Sequence, residues 1–276
     1  MTSKEYENNR DLEPEKEIDG PIGVIFDLDG TLSDSLNLLF EVTPSVAQDF
    51  GVEISEKQKQ IMDELVLDAM CGGKSGKPSL LIKLFFSVLG YKKRLLYITI
   101  LLKIAKLIGI SRLKRPSFMM RVQEEFKRQA PHIPLFDGVE QALKKLRGKY
   151  DHGIKMGIVS TTNTDEIFHR FEENPKFLKL FGDESNIVGR DKVKEIKPSP
   201  EGILILSEKW EIPPERLIMI GDTKADIFAG NAVGALTVGV STGPFVPEEL
   251  KQFEPDFVFT SVVEFINNFD VIIGRF

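Results

Sequence analysis

Five apolar residues, Ile22 to Phe26, run without a break and stop at Asp27-Leu28-Asp29-Gly30. A run this short, rich in β-branched side chains and apolar on both faces, reads as a strand buried within a sheet, its carboxyl end presenting two carboxylates. The design recurs. Lys155–Val159 stops at Ser160, Thr161 and Thr162, and Arg216–Ile220 stops at Gly221 and Asp222. A fourth run, Leu236–Val240, gives way to Ser241-Thr242-Gly243, and the segment 257–260 offers a fifth. Between them, Gly138–Arg147 and Pro200–Lys209 space apolar residues at the helical period. Strand and helix alternating at this pitch predict right-handed crossovers and a doubly wound, parallel α/β sheet. In such sheets ligands bind beyond the carboxyl ends of the strands, where this sequence concentrates its polar residues.

One region breaks the alternation. Residues 37–133 carry about a hundred residues of helical pattern without an Asn-Gly or Asp-Gly hairpin turn. They are expected to form a helical domain inserted after the first strand of a Rossmann-like core made of residues 20–36 and 134–276. Within the insert, Ser79–Ile110 is apolar nearly all round, yet Lys83, Lys92, Lys93, Arg94, Lys103 and Lys106 interrupt it. Its longest uncharged runs, 84–91 and 95–102, are eight residues each, against roughly 20 for a membrane-spanning helix. A bundle core with lysines snorkelling at its edges is the reading, and contact with a membrane interface is the alternative. Between Ala69 and Gln123 there are eight Lys, four Arg and no acid, so this stretch carries +12 in a chain of −6 and leaves −18 elsewhere. Such a basic insert on an acidic body suits an anionic substrate, a membrane surface or an acidic partner.

Residues 1–19 hold seven acids, three bases and few apolar groups, a composition that predicts a disordered tail. They lack the pattern of a secretory signal, which makes cytoplasmic residence the expectation. The single cysteine, Cys71, excludes an internal disulfide and a cysteine-based zinc site, and His132, His152 and His169 show no ligand spacing. An acidic chain with no recognition motif argues against nucleic-acid binding.

Asp27 and Asp29 are two apart and would share a strand face unless a turn at Gly30 separates them. A carboxylate can attack phosphorus and form an acyl phosphate. A second carboxyl can protonate the leaving oxygen and later activate water. Gly30 lets backbone N–H groups approach phosphoryl oxygens closely, although Asp-Gly also simply marks turns. Asp222 and Asp226 open a helix after a strand. Oxygen ligands of this kind suit Mg²⁺, while an N-cap and a first-turn acid would equally account for them. Lys197 stands in KPSP, where proline sets a turn, and could be a surface charge. Ser160 could merely cap the next segment of chain. The GGKS string within 71–78 is not a nucleotide-binding loop, because Asp68 stands where the upstream glycine belongs.

Taken together, DLDGT, Ser160, Lys197 and GDTKAD stand in an order and in strand contexts that resemble the haloacid dehalogenase superfamily. The sequence looks most like the phosphoglycolate phosphatase and β-phosphoglucomutase branch. Similarity covers residues 21–36 and about 134–265, including PLFDGVEQALKKL and FAGNAVGALTVGV. The resemblance implies that Asp27 is the nucleophile and Asp29 the general acid/base. It implies that Ser160, beside Thr161, hydrogen-bonds the phosphoryl group, that Lys197 neutralises it, and that Gly30 and Thr31 shape the phosphate-binding turn. Asp222 would hold Mg²⁺ with Asp27 and the Asp29 carbonyl, and Asp226 would support the metal or Lys197.

By the same resemblance the insert is a mobile cap that excludes water and contacts substrate. The loop 71–78 would then place Lys74 and Lys77 near an anionic leaving group. Two departures stand out: the insert is longer and more basic than in relatives, and Thr161 stands where many carry asparagine. The implied function is Mg²⁺-dependent hydrolysis of a small phosphorylated metabolite through an aspartyl phosphate. A phosphomutase shares the same core residues, and a non-catalytic docking module using the basic cap is the alternative from another class. A dehalogenase would leave Asp29 without a role, and a phosphonate hydrolase would need an imine-forming cap lysine. Neighbouring carboxylates are expected to raise the pKa of Asp29.

Overall fold

The computed structural model describes residues 20–70, 101–150 and 153–275. Six parallel strands form one sheet in the order β3-β2-β1-β4-β5-β6. They are β1 (Ile22–Phe26), β2 (Ile154–Val159), β3 (Ile187–Val188), β4 (Leu217–Gly221), β5 (Leu236–Val240) and β6 (Phe257–Phe259). Five of them answer to the apolar runs read from sequence. The edge strand β3 is only two residues long, too short for any periodicity to reveal.

The chain builds outward from β1 to β3 on one side and from β4 to β6 on the other. The reversal between β1 and β4 is the switch point at which a doubly wound sheet opens a crevice. Phe26 pairs with Ile158 of β2 and Ile220 of β4. That register brings the three strand ends level, so Asp27, Ser160 and Asp222 emerge side by side.

Helices α1 (Ser35–Asp49), α2 (Glu56–Met70) and α3 (Arg115–Gln129) belong to the stretch between β1 and β2. Those of the core are α4 (Val139–Lys149), α5 (Thr164–Arg170), α6 (Glu201–Trp210), α7 (Lys224–Asn231) and α8 (Val262–Asn267). Alternation along β1 assigns its residues to two layers. Ile22, Val24 and Phe26 pack with Leu143 and Leu146 of α4 and Phe265 of α8. Ile25 packs with Ile203 and Leu206 of α6 and Ala229 of α7.

On that second face two glycines make room for an indole. A Cβ at Gly23 would lie 2.8 Å from Trp210, and one at Gly157 would lie 2.9 Å from it and 2.8 Å from Leu206. The ring seats α6 on β1 and β2, and its Nε1 donates to Asn186 Oδ1 at 2.8 Å.

The helical insert has its own apolar cluster, built from Val42 and Val46 of α1, Met62 of α2, Ile104 and Ile108, and Phe118 of α3. Phe50 meets Phe118 edge-on at 5.6 Å. In the helical residues 101–107, Lys103 and Lys106 are exposed while Ile104 and Ala105 are buried, the arrangement expected of a bundle helix with lysines at its edge. Among the described residues no helix is long and apolar enough to cross a membrane. The acidic tail 1–19, the loop 71–78 with Cys71, Lys74 and Lys77, most of the lysine-punctuated apolar run, and His152 lie outside the described residues.

Because Trp210 and Leu206 leave no space at Gly157, Gly157→Ala is expected to destabilise the core by about 1–3 kcal/mol. Urea unfolding followed by Trp210 fluorescence would measure this. An unchanged midpoint would contradict the packing of α6 described here.

Candidate active site

At the end of β1, Asp27 is still tied to the sheet, its N–H donating to Ile220 O at 2.8 Å. The chain then turns sharply. Leu32 and Ser33 both donate their N–H to Leu28 O at 2.9 Å, and Gly30 N–H donates to Ser33 O at 2.8 Å. Gly30 sits at φ +88°, and a Cβ there would lie 2.3 Å from Asp222 Oδ2. Both the left-handed backbone and the close approach require glycine. From the loop after β5, Thr242 donates its hydroxyl to Gly30 O at 2.6 Å. A Cβ on the following Gly243 would lie 1.9 Å from Asp222 Oδ2. Two glycines thus wall the Asp222 carboxylate.

Lys197 is buried and shared between acids. Its Nζ donates to Asp27 Oδ1, donates to Val159 O at 2.8 Å, and lies 2.6 Å from Asp226 Oδ1. Asp226 Oδ2 accepts from Thr223 N at 3.0 Å and Thr223 Oγ1 at 2.6 Å. Asp226 therefore both caps α7 and holds Lys197, so the capping and site readings of this residue are compatible. Thr31 spends its hydroxyl on Asp222 Oδ1, at 2.9 Å.

Asp222 Oδ2 is fully buried and has no hydrogen-bond partner among the described residues. Oxygens of Asp27, Asp222 and Asp226 lie within 4.8 Å of one another. Three carboxylates thus face one ammonium. Burial pushes Asp27 up to about 7, with Lys197 opposing the rise and Asp226 and Asp29 adding to it. Burial, then Asp27 and Asp226, push Asp222 well above the usual carboxylate range. Burial would lower Lys197, but Asp226 and Asp27 outweigh it and hold the ammonium above its ordinary pKa. A buried acidic cluster with one oxygen left without a partner fits a hard divalent cation such as Mg²⁺, which accepts a few carboxylate oxygens and keeps several waters.

Asp29 faces a different environment. Its side chain is 23 % exposed, and its Oδ1 accepts from Arg170 Nη1. Oδ2 accepts from Thr162 Oγ1 at 2.7 Å. Burial would raise its pKa, but the Arg170 guanidinium, with Thr162 and Ser35, holds it below the ordinary value. The expectation that neighbouring carboxylates would raise it is therefore overturned. The cause is Arg170, which the sequence reading missed. Its one signal was helical spacing: Thr164, Ile167 and Arg170 are the buried positions of α5, so a cation stands on an apolar stripe.

Ser160 is buried at the end of β2, donating its N–H to Val188 O at 3.0 Å and accepting from Thr162 N at 3.1 Å through Oγ. Thr161 is half-buried and has no side-chain hydrogen bond among the described residues; Thr162 is the threonine that reaches Asp29. His132 and His169 are exposed and stand outside the acidic group.

Comparison with known proteins bears on this geometry. A family model described as haloacid dehalogenase-like hydrolase matches residues 24–240. Pyrophosphatase PpaX of Listeria monocytogenes is 38% identical over 125 residues, 45% of this chain and 54% of that protein. Phosphoglycolate phosphatase of Escherichia coli is 30% identical over 128 residues, 46% of this chain and 48% of that protein. The alignments with these curated relatives thus span about half of their length. A solved Thermotoga maritima structure described as a β-phosphoglucomutase superposes with a TM-score of 0.67 at 24% identity, covering 91% of this chain and 99% of that one. At that identity the likeness is one of fold.

The crowding of acids has a cost in the metal-free protein. Between the ordinary carboxylate pKa of 3.8 and about 7, the folded state holds a proton on Asp27 that the unfolded chain has released, so this group costs stability as pH rises through that window. At pH 8, Mg²⁺ is expected to raise the Tm measured by scanning calorimetry. Asp222→Asn should raise the metal-free Tm by a few degrees and abolish the Mg²⁺ response. A lower metal-free Tm, or a preserved response, would contradict the site as described.

Proposed function

The chain belongs to the haloacid dehalogenase-like hydrolase family, and on that premise we propose that it is a Mg²⁺-dependent phosphatase acting on a small phosphorylated metabolite through a phosphoaspartyl intermediate. The observation that carries the reading is the position of Asp27. It stands at the switch point of the sheet, bonded to Lys197 and grouped with the buried Asp222 and Asp226. The curated relatives, a pyrophosphatase and a phosphoglycolate phosphatase, support a small phosphorylated substrate.

In this reading Asp27 attacks phosphorus in line, the P–O bond to the leaving group breaks, and Asp29 gives its proton to the departing oxygen. Water then attacks the phosphoaspartate, Asp29 takes its proton, and phosphate leaves with Asp27 restored. The ionised Asp29 beside Arg170 suits the second half. For the first, Asp29 must take up a proton and loosen that pairing. Lys197 and the Ser160 hydroxyl would bind the phosphoryl oxygens, with backbone N–H groups of the Gly30–Thr31 turn and Thr161 beside them. Mg²⁺ held by Asp27, Asp222 and the Asp29 carbonyl, with Asp226 fixing Lys197, would offset the repulsion between nucleophile and phosphate. Residues 37–133 would serve as the cap over the core 20–36 and 134–276, Lys74 and Lys77 would meet the leaving group, and the protein would act in the cytoplasm.

With Mg²⁺ and a panel of phosphorylated metabolites, wild-type protein is expected to release phosphate. Asp27→Asn should lose at least about a thousandfold in kcat while keeping a cooperative thermal transition. Activity near wild type in the variant would remove Asp27 as nucleophile. Isomerised sugar phosphate without free phosphate would identify a mutase instead.

A further inference from the structure

Between Leu101 and Gln123 the insert carries Lys103, Lys106, Arg112, Lys114, Arg115 and Arg121 and no acid. Arg121 is neutralised by Asp49 at 3.5 Å and Glu124 at 3.4 Å, and Arg115 donates through Nε to Ile110 O at 3.0 Å. Lys103, Lys106, Arg112 and Lys114 are exposed and enter no ion pair among the described residues. Large apolar side chains are exposed in the same stretch. Leu102 is 40 % exposed, Met120 62 % and Leu113 93 %, the highest of any large apolar side chain among the described residues. The turn that carries Leu113 is pinned at both ends. Ile110 is buried and its N–H donates to Ala105 O at 2.8 Å, Lys114 N–H donates to Ser111 O at 2.9 Å, and α3 starts at the next residue. Leu113 is thus held outward between Arg112 and Lys114. In the preceding helical residues, Leu102 and Lys106 are one turn apart and share an exposed face with Lys103.

A single exposed leucine is unremarkable on a protein surface. One fixed on an ordered turn, flanked by unpaired cations and followed back along the chain by a further apolar and basic face, has the composition of an interfacial membrane contact. We infer that the turn at Leu113, with the exposed face of residues 102–106, docks on an anionic phospholipid surface. Lys103, Lys106, Arg112 and Lys114 meet the charged headgroups, and Leu113 enters the apolar boundary beneath them. The cations set the sign of the partner, and Leu113 sets its kind. The phosphate surface of a nucleic acid offers no apolar layer to a projecting leucine. A protein partner would need a pocket shaped to receive it, whereas a fluid bilayer closes round it. None of these residues belongs to the group around Asp27, so the inference stands apart from the phosphatase reading.

The test is cosedimentation of the full chain at low salt with phosphatidylcholine vesicles, plain or containing about one-quarter phosphatidylserine. Binding is expected only with the anionic lipid and should fall as salt is added. Lys103→Gln, Lys106→Gln and Arg112→Gln combined should weaken it by at least about tenfold, and Leu113→Ser should weaken it several-fold. Both variants should keep the wild-type Tm, because all four side chains are exposed. In Leu113→Trp the emission of the added indole should shift to the blue on these vesicles and stay unchanged with heparin. Asp27→Asn should bind as wild type does. Absence of binding to phosphatidylserine vesicles at low salt overturns the inference. So does binding that survives both sets of substitutions, since the contact would then lie elsewhere on the chain. Binding that is lost with the cations, indifferent to Leu113→Ser and matched by heparin would identify a soluble polyanion as the partner and equally overturns it.

Discussion

Three carboxylates and one ammonium share a buried space in which ligand oxygens of Asp27, Asp222 and Asp226 lie within 4.8 Å of one another. At an effective dielectric near 20, each like-charged pair at that spacing costs about 3 kcal/mol. Much at this end of the sheet serves to make the arrangement tolerable. Lys197 bridges Asp27 and Asp226, Thr223 supplies two donors to Asp226, and Thr31 supplies one to Asp222. What is left over, the unmatched Asp222 Oδ2 and the elevated pKa values of Asp27 and Asp222, is the residual negative charge that a divalent cation would neutralise.

The same geometry explains why two acids only two residues apart end in opposite electrostatic regimes. The turn at Gly30, held by Thr242 and pressed against Asp222, lets Asp27 stay with the acidic group while Asp29 meets Arg170 and Thr162. Asp27 is driven towards its neutral form without a cation, and Asp29 towards its ionised form. Burial and the neighbouring carboxylates raise Asp27 against the opposing Lys197, and Arg170 on α5 lowers Asp29. An ionised nucleophile and a protonated acid, the pairing that the first half of the proposed chemistry needs, would require a cation beside Asp27 and release of Asp29 from Arg170.

The strands were legible because a strand buried on both faces must be continuously apolar and must stop where polar chemistry begins. Ile22–Phe26 and Leu236–Val240 are found with the bounds the sequence implied, and β4 is shifted by one residue at each end. The acids at those ends were legible for the same reason. Less was visible where function depends on contacts distant in sequence. Lys197 looks like a surface charge until the fold buries it against Asp27, 170 residues away. Arg170 and Thr162 reach Asp29 across more than a hundred residues, and nothing in local composition announces that meeting. β3 owes its existence to pairing with β2 rather than to its own pattern.

In the proposed chemistry Asp27 becomes covalently phosphorylated during turnover. The most direct measurement is acid quenching of a single turnover with a turned-over phosphomonoester, followed by peptide mapping by mass spectrometry. One phosphoryl group, labile to hydroxylamine, is expected on the peptide containing Asp27, and none in Asp27→Asn. Turnover that proceeds with Asp27 unmodified at every quench time, or a phosphoryl group on another residue, would contradict it.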